Sequence, residues 1–110
     1  MIMDVEKIEL TRSEVNALTK AILYLKFDCE EIDSLFYCSS PIINSIFEKL
    51  IKMYGYQKDW DRIFSNIPEM NKSIAIDKIA NYEKQNNRYF DEKTKNEILE
   101  KYLFPYKLDK

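Results

Sequence analysis

Apolar residues at helical spacing, introduced by clear capping signals, constrain this chain more than any other feature. Thr11-Arg12-Ser13-Glu14 has the form of a capping box. In it the Thr11 hydroxyl accepts from the Glu14 amide, and the Glu14 carboxylate accepts from the Thr11 amide. Leu10 before the cap and Val15 after it supply the matching hydrophobic staple. Val15, Leu18, Ile22 and Leu25 then recur at three and four residues, which predicts a helix over 12–27. Ala17, Ala21 and Tyr24 widen its stripe. Such a helix gains its stability from tertiary burial and so needs a partner surface.

The same signals recur along the chain. Asp28-Cys29-Glu30-Glu31 reads as a polar break, and Ile32, Leu35 and Phe36 suggest a short helical turn behind it. Ser40-Pro41 places an N-cap before a proline at the first helical position. The face Ile43, Ile46, Phe47, Leu50 and Tyr54, with Ile42 and Ile51 beside it, predicts a helix over 41–54 capped by Gly55, the one glycine. Asp59 can open a short helix holding Trp60, Ile63 and Phe64, stopped by Pro68. Met70, Ile74, Ile79 and Tyr82, with Ala75 and Ile76, predict a helix over 70–85 that Asn86-Asn87 breaks. Asp91 or Thr94 opens the last one, which buries Ile98, Leu99, Tyr102 and Leu103 and stops at Pro105. The pattern predicts one all-α domain over 1–110, a compact bundle of five to six short helices. An α+β alternative pairs residues 4–10, where Ile8 and Leu10 alternate, with a strand near 74–79.

Composition removes many chemistries. No histidine is present among the 110 residues, so no mechanism can use imidazole as base, nucleophile partner or metal ligand. One glycine cannot build a phosphate loop. Cys29 and Cys38 form neither a zinc set nor a C-x-x-C pair, and are expected to be reduced thiols packed as small apolar groups. Net charge is −2, with 8 basic and 12 acidic residues in 1–70 against 9 and 7 in 71–110. A phosphate backbone repels such a molecule unless its cations are segregated. Acid replaces the basic start of a signal peptide, and no apolar run approaches the roughly 20 residues of a membrane span. A cytoplasmic protein without membrane contact is expected. Ile and Lys at 14 each and Asn and Tyr at 8 each imply an AT-rich gene, from a low-GC bacterium, a phage or a mobile element.

Three constellations stand out. Asp28, Glu30, Glu31 and Asp33 put four carboxylates in six residues, flanked by Phe27, Phe36 and Tyr37. Their spacing is not that of a calcium loop. They read either as a solvated connection or as an acidic edge facing a basic partner, where complementary charge speeds encounter and rejects wrong partners. Eight tyrosines exceed what a small core can hold, since each buried hydroxyl needs a partner. Tyr54, Tyr56 and Trp60 around Gly55 therefore form a second candidate patch, or a small core closing that corner. Lys84, Arg88, Lys93 and Lys95, interleaved with Tyr82, Tyr89 and Phe90, come nearest to a nucleic-acid motif, but Glu83, Asp91 and Glu92 interrupt them. Ser39-Ser40, with no lysine at S-x-x-K spacing, is a cap and not a nucleophile.

In profile, this small, histidine-free, mildly acidic chain resembles the immunity proteins that neutralise bacterial toxins, although no segment carries the likeness. That resemblance implies a non-enzymatic inhibitor occluding the surface of a basic protein partner such as a toxin nuclease. No catalytic residue, cofactor or metal is expected. The partner-binding candidates are Asp28, Glu30, Glu31, Asp33, Tyr37, Tyr56 and Trp60. The alternative is a small phage- or mobile-element-encoded protein, either a nucleic-acid-binding regulator using residues 82–95 or an inhibitor of a host nuclease. Nucleic acid is the less expected partner.

Overall fold

The computed structural model describes residues 5–53, 62 and 64–106. Five α-helices are defined among them: α1 (Arg12–Phe27), α2 (Leu35–Cys38), α3 (Pro41–Met53), α4 (Glu69–Asn86) and α5 (Glu92–Leu103). A 3₁₀ turn, Ile32–Ser34, leads directly into α2. The molecule is an all-α bundle in which α1 packs on α3 and α4, and α4 packs on α5. Among the described residues there is no strand. Residues 5–10 have no regular structure and 74–79 lie inside α4, so the α+β alternative fails.

The described caps act as the sequence predicts, and the structure decides between the two candidates for the last helix. Thr11 and Glu14 form both bonds of the capping box, at 2.8 and 3.1 Å. The Ser40 hydroxyl accepts from the Ile43 amide ahead of α3. Asn87 ends α4 in the left-handed region at φ 48°. Asp91, not Thr94, caps α5 and accepts from the Thr94 amide at 2.7 Å, leaving Thr94 inside the helix. Tyr54, Gly55 and the short helix expected near 60–64 fall mostly outside the described residues.

The buried faces are rotated from those the apolar spacing suggests. On α1 the buried side chains are Val15, Thr19, Lys26 and Phe27, while Leu18 is 44% exposed. On α3 they are Asn44, Phe47, Leu50 and Ile51, with Ile42 and Ile46 turned outward. On α4 they are Ala75, Lys78, Ile79 and Glu83, with Met70 and Ile76 exposed. In each case a polar residue takes a place in the core.

For Lys26, Asn44 and Lys78 the exchange has one physical cause. The C-terminal ends of α1, α2 and α5 meet in the interior, and the last carbonyls of a helix have no partner within it. Lys26, fully buried, donates from Nζ to the carbonyls of Cys38 (2.8 Å), Tyr102 (2.9 Å) and Lys101 (3.2 Å). Lys78, also buried, donates to the Leu25 carbonyl at 3.2 Å and the Ser34 hydroxyl at 2.7 Å, and lies 3.8 Å from the Cys38 sulfur. The Cys38 thiol itself donates to Leu25 at 3.0 Å. The Asn44 amide adds a second donor to Lys101 O at 2.9 Å. No carboxylate pairs with either ammonium among the described residues. Their counter-charge is the negative end of the helices together with the Tyr102 ring, whose centroid lies 5.0 Å from Lys78 Nζ and 6.0 Å from Lys26 Nζ.

Burial pushes the Lys26 ammonium down from 10.5 to about 7, with the Cys38 sulfur opposing the shift. Burial also pushes the Tyr102 phenol up, helped by the neighbouring Cys38 and Cys29 sulfurs. Lys26→Met leaves three carbonyls without this donor while removing a buried charge, and is expected to lower stability by about 2–4 kcal/mol in urea unfolding. An unchanged urea midpoint would refute the capping role. The pH dependence follows from linkage. Between pH 7 and 10.5 the unfolded chain holds a proton on Lys26 that the folded chain binds less well. Stability therefore rises with pH across that window, by at most about 1.4 kcal/mol per unit, and this rise is absent from Lys26→Met.

Candidate functional site

The connection from α1 to α2 carries the acidic segment, and its backbone explains why those side chains face water. Tyr24 O accepts from both the Asp28 amide (2.9 Å) and the Cys29 amide (2.8 Å), which closes α1 and turns the chain outward. The continuous helical run 32–38 then buries Ser34, Leu35 and Cys38 on its inner side. Asp28, Glu30, Glu31 and Asp33 are all exposed. None of the four joins an ion pair among the described residues. Nor do they converge as a metal site, since no group of three acidic or cysteine ligands that could hold an ion occurs among the described residues.

Two large aromatic side chains stand beside them. Phe36 is 57% exposed and Tyr37 60%, one helical turn on from Asp33. Phe36 packs edge-on against Tyr82 (centroids 5.1 Å apart, 89°), and Tyr82 stacks on Phe90 (5.8 Å, 10°). Phe27, expected beside the acidic edge, is instead a core residue against Tyr102 and Tyr106. The structure thus leaves Asp28, Glu30, Glu31, Asp33, Phe36 and Tyr37 exposed together on one short segment. Tyr56 and Trp60 lie outside the described residues.

The segment is held from beneath by the two buried lysines. Lys26 binds the Cys38 carbonyl, and Lys78 binds the Ser34 hydroxyl and contacts the Cys38 sulfur. Outward-facing acids and aromatics are therefore mounted on a fixed base, which lowers the ordering cost of any contact they make. Sequence reasoning missed both lysines. A signal was present: Lys26 follows Ile22 by four residues, and Lys78 sits between Ala75 and Ile79, so each falls within an apolar stripe.

Two chemical alternatives are weakened by geometry. Lys78 Nζ and Ser34 Oγ are 2.7 Å apart, the separation of a serine–lysine dyad. However, Ser34 is buried and gives its own proton to the Glu31 carbonyl at 2.7 Å, so in this arrangement lysine donates to serine and does not accept from it. In the basic segment, Tyr82 and Phe90 stack on each other, and Lys95 lies 3.6 Å from the buried Glu83. Glu83 also accepts from the Phe90 amide at 2.9 Å, folding the α4–α5 turn on itself. Three of the seven residues of that constellation, Tyr82, Phe90 and Lys95, are thus engaged in internal contacts. Tyr89, Lys84, Arg88 and Lys93 remain exposed. No helix among the described residues is long and apolar enough to cross a membrane.

Comparison with known protein families, with curated proteins and with solved structures finds no match to this chain.

A base-and-surface division makes a direct prediction. Leu35→Ala is expected to cost about 3 kcal/mol, because it empties a fully buried position under the segment. Phe36→Ala and Tyr37→Ala, on the outer side, are expected to cost about 1 kcal/mol or less in the same thermal or urea melts. Equal costs for all three would show that the aromatics serve the core.

Proposed function

We propose that this chain is a non-enzymatic binding protein that occludes a basic surface of another protein, in the manner of an immunity protein against a bacterial toxin nuclease. One observation carries the reading: four exposed carboxylates without ion-pair partners among the described residues and two exposed aromatics share one segment that buried groups hold in place. Carboxylates steer a cationic partner, and the aromatics supply the large, stiff contact area typical of binding hot spots. The absence of histidine supports an inhibitor over a hydrolase. The abundance of Ile, Lys, Asn and Tyr fits an AT-rich bacterial, phage or mobile-element gene, and a cytoplasmic setting fits two cysteines with no disulfide between them.

The test is affinity capture from the source cell with the wild-type chain and a Glu30→Lys/Glu31→Lys variant in parallel. The reading requires a basic protein that the wild type retains, that moderate salt releases, and that the charge reversal no longer captures. With that partner purified, the reversal should slow association about 10-fold or more and flatten its salt dependence. Capture unaffected by the reversal removes this surface from the function. Binding to nucleic acid whose affinity falls steeply with salt, and that persists in the reversed variant, favours the exposed cations of 84–93 instead.

A further inference from the structure

Beside the acidic segment, a groove of about 340 Å³ separates the start of the 3₁₀ turn from α4. Ile32 and Ile74 form its half-buried walls, and the buried Lys78 lies along its base. Glu30 and Asp77, from two different elements, and the Asn81 amide stand exposed at its edge. Neither carboxylate has an ion-pair partner among the described residues. The Lys78 ammonium is bonded inward, to the Ser34 hydroxyl and the Leu25 carbonyl, and its single positive charge is outweighed at the groove by the two carboxylates. We infer that this groove receives an arginine side chain of the protein partner, an inference that rests on the reading above and specifies what the partner presents.

The match is chemical. An arginine carries a three-carbon apolar stem ending in a planar cation with five N–H donors. The isoleucine walls suit the stem, and the rim provides two carboxylates and an amide oxygen as acceptors. A lysine shares the stem but offers a compact, strongly hydrated charge that cannot fork between separate acceptors. An apolar side chain would leave the two carboxylates facing nothing. The groove lies next to Glu31 and Asp33, whose charge draws a basic segment towards it.

The probe is a triarginine peptide titrated into the isotopically labelled full chain, followed by amide chemical shifts, with trilysine and triglutamate in parallel. Triarginine is expected to shift residues 30–32 and 74–81 saturably, trilysine to bind several-fold more weakly, and triglutamate not to bind. Glu30→Gln/Asp77→Asn should weaken triarginine about 10-fold or more. Ile74→Trp, which fills the groove and leaves every charge in place, should do the same. Asp28→Asn/Asp33→Asn, outside the groove, should change affinity about twofold at most. Three outcomes overturn the inference: trilysine binding as tightly as triarginine, equal losses from the two charge-neutralised pairs, or full affinity in a folded Ile74→Trp variant. The last two leave the broader acidic surface standing, because a Glu31→Lys/Asp33→Lys reversal in the capture experiment reads that surface without touching a groove residue.

Discussion

Three helix C-termini that meet in the interior need hydrogen-bond donors there, and Lys26 and Lys78 supply them. The carbonyls of Leu25, Cys38, Lys101 and Tyr102 are the unpaired ends of α1, α2 and α5, and each accepts from one of the two ammonium groups. A buried polar group left unpaired costs about as much as a core truncation, so these donors stabilise the junction substantially. A buried cation alone is costlier still. What makes the pair tolerable is mutual: helix ends and an aromatic face supply negative potential where no carboxylate among the described residues does.

The consequence reaches the surface. The 32–38 segment is too short to be stable as an isolated helix. It is ordered because its inner side chains and last carbonyl are bonded to Lys26 and Lys78, which α1 and α4 hold in place. Its outer side chains therefore arrive at the surface already positioned. Phe36 is steadied further by its edge contact with Tyr82, which links the acidic segment to the α4–α5 corner. The arrangement places buried hydrogen bonds directly under a patch of charge and aromatic area.

Much of the helical framework was legible in the chain itself. The capping box at Thr11 and Glu14, the Ser40-Pro41 start and the Asn86-Asn87 break depend on contacts within a few residues, and local contacts survive into the fold. The acidic segment was legible for the same reason: four charges in six residues find no room in a small core. Burial was harder to read. Leu18, Ile46 and Met70 look like core residues by spacing and are exposed. Lys26 and Lys78 look like surface residues by type and are buried. Helical periodicity identifies a stripe but not which edge of it a neighbour covers, and residue type predicts burial only when polar atoms lack partners inside.

Sequence alone determined that this is a helical, histidine-free chain with an acidic segment between its first two apolar helices, because propensity, capping and charge density act over short distances. Tertiary structure alone decided that the ends of α1, α2 and α5 converge, and hence that two lysines turn inward and that Glu30 and Asp77 come to share a groove. Those outcomes depend on residues more than forty positions apart, such as Ser34 and Lys78, meeting in space. No local pattern encodes such a meeting. It follows from the packing of whole helices, where unpaired carbonyls and the side chains able to satisfy them must coincide.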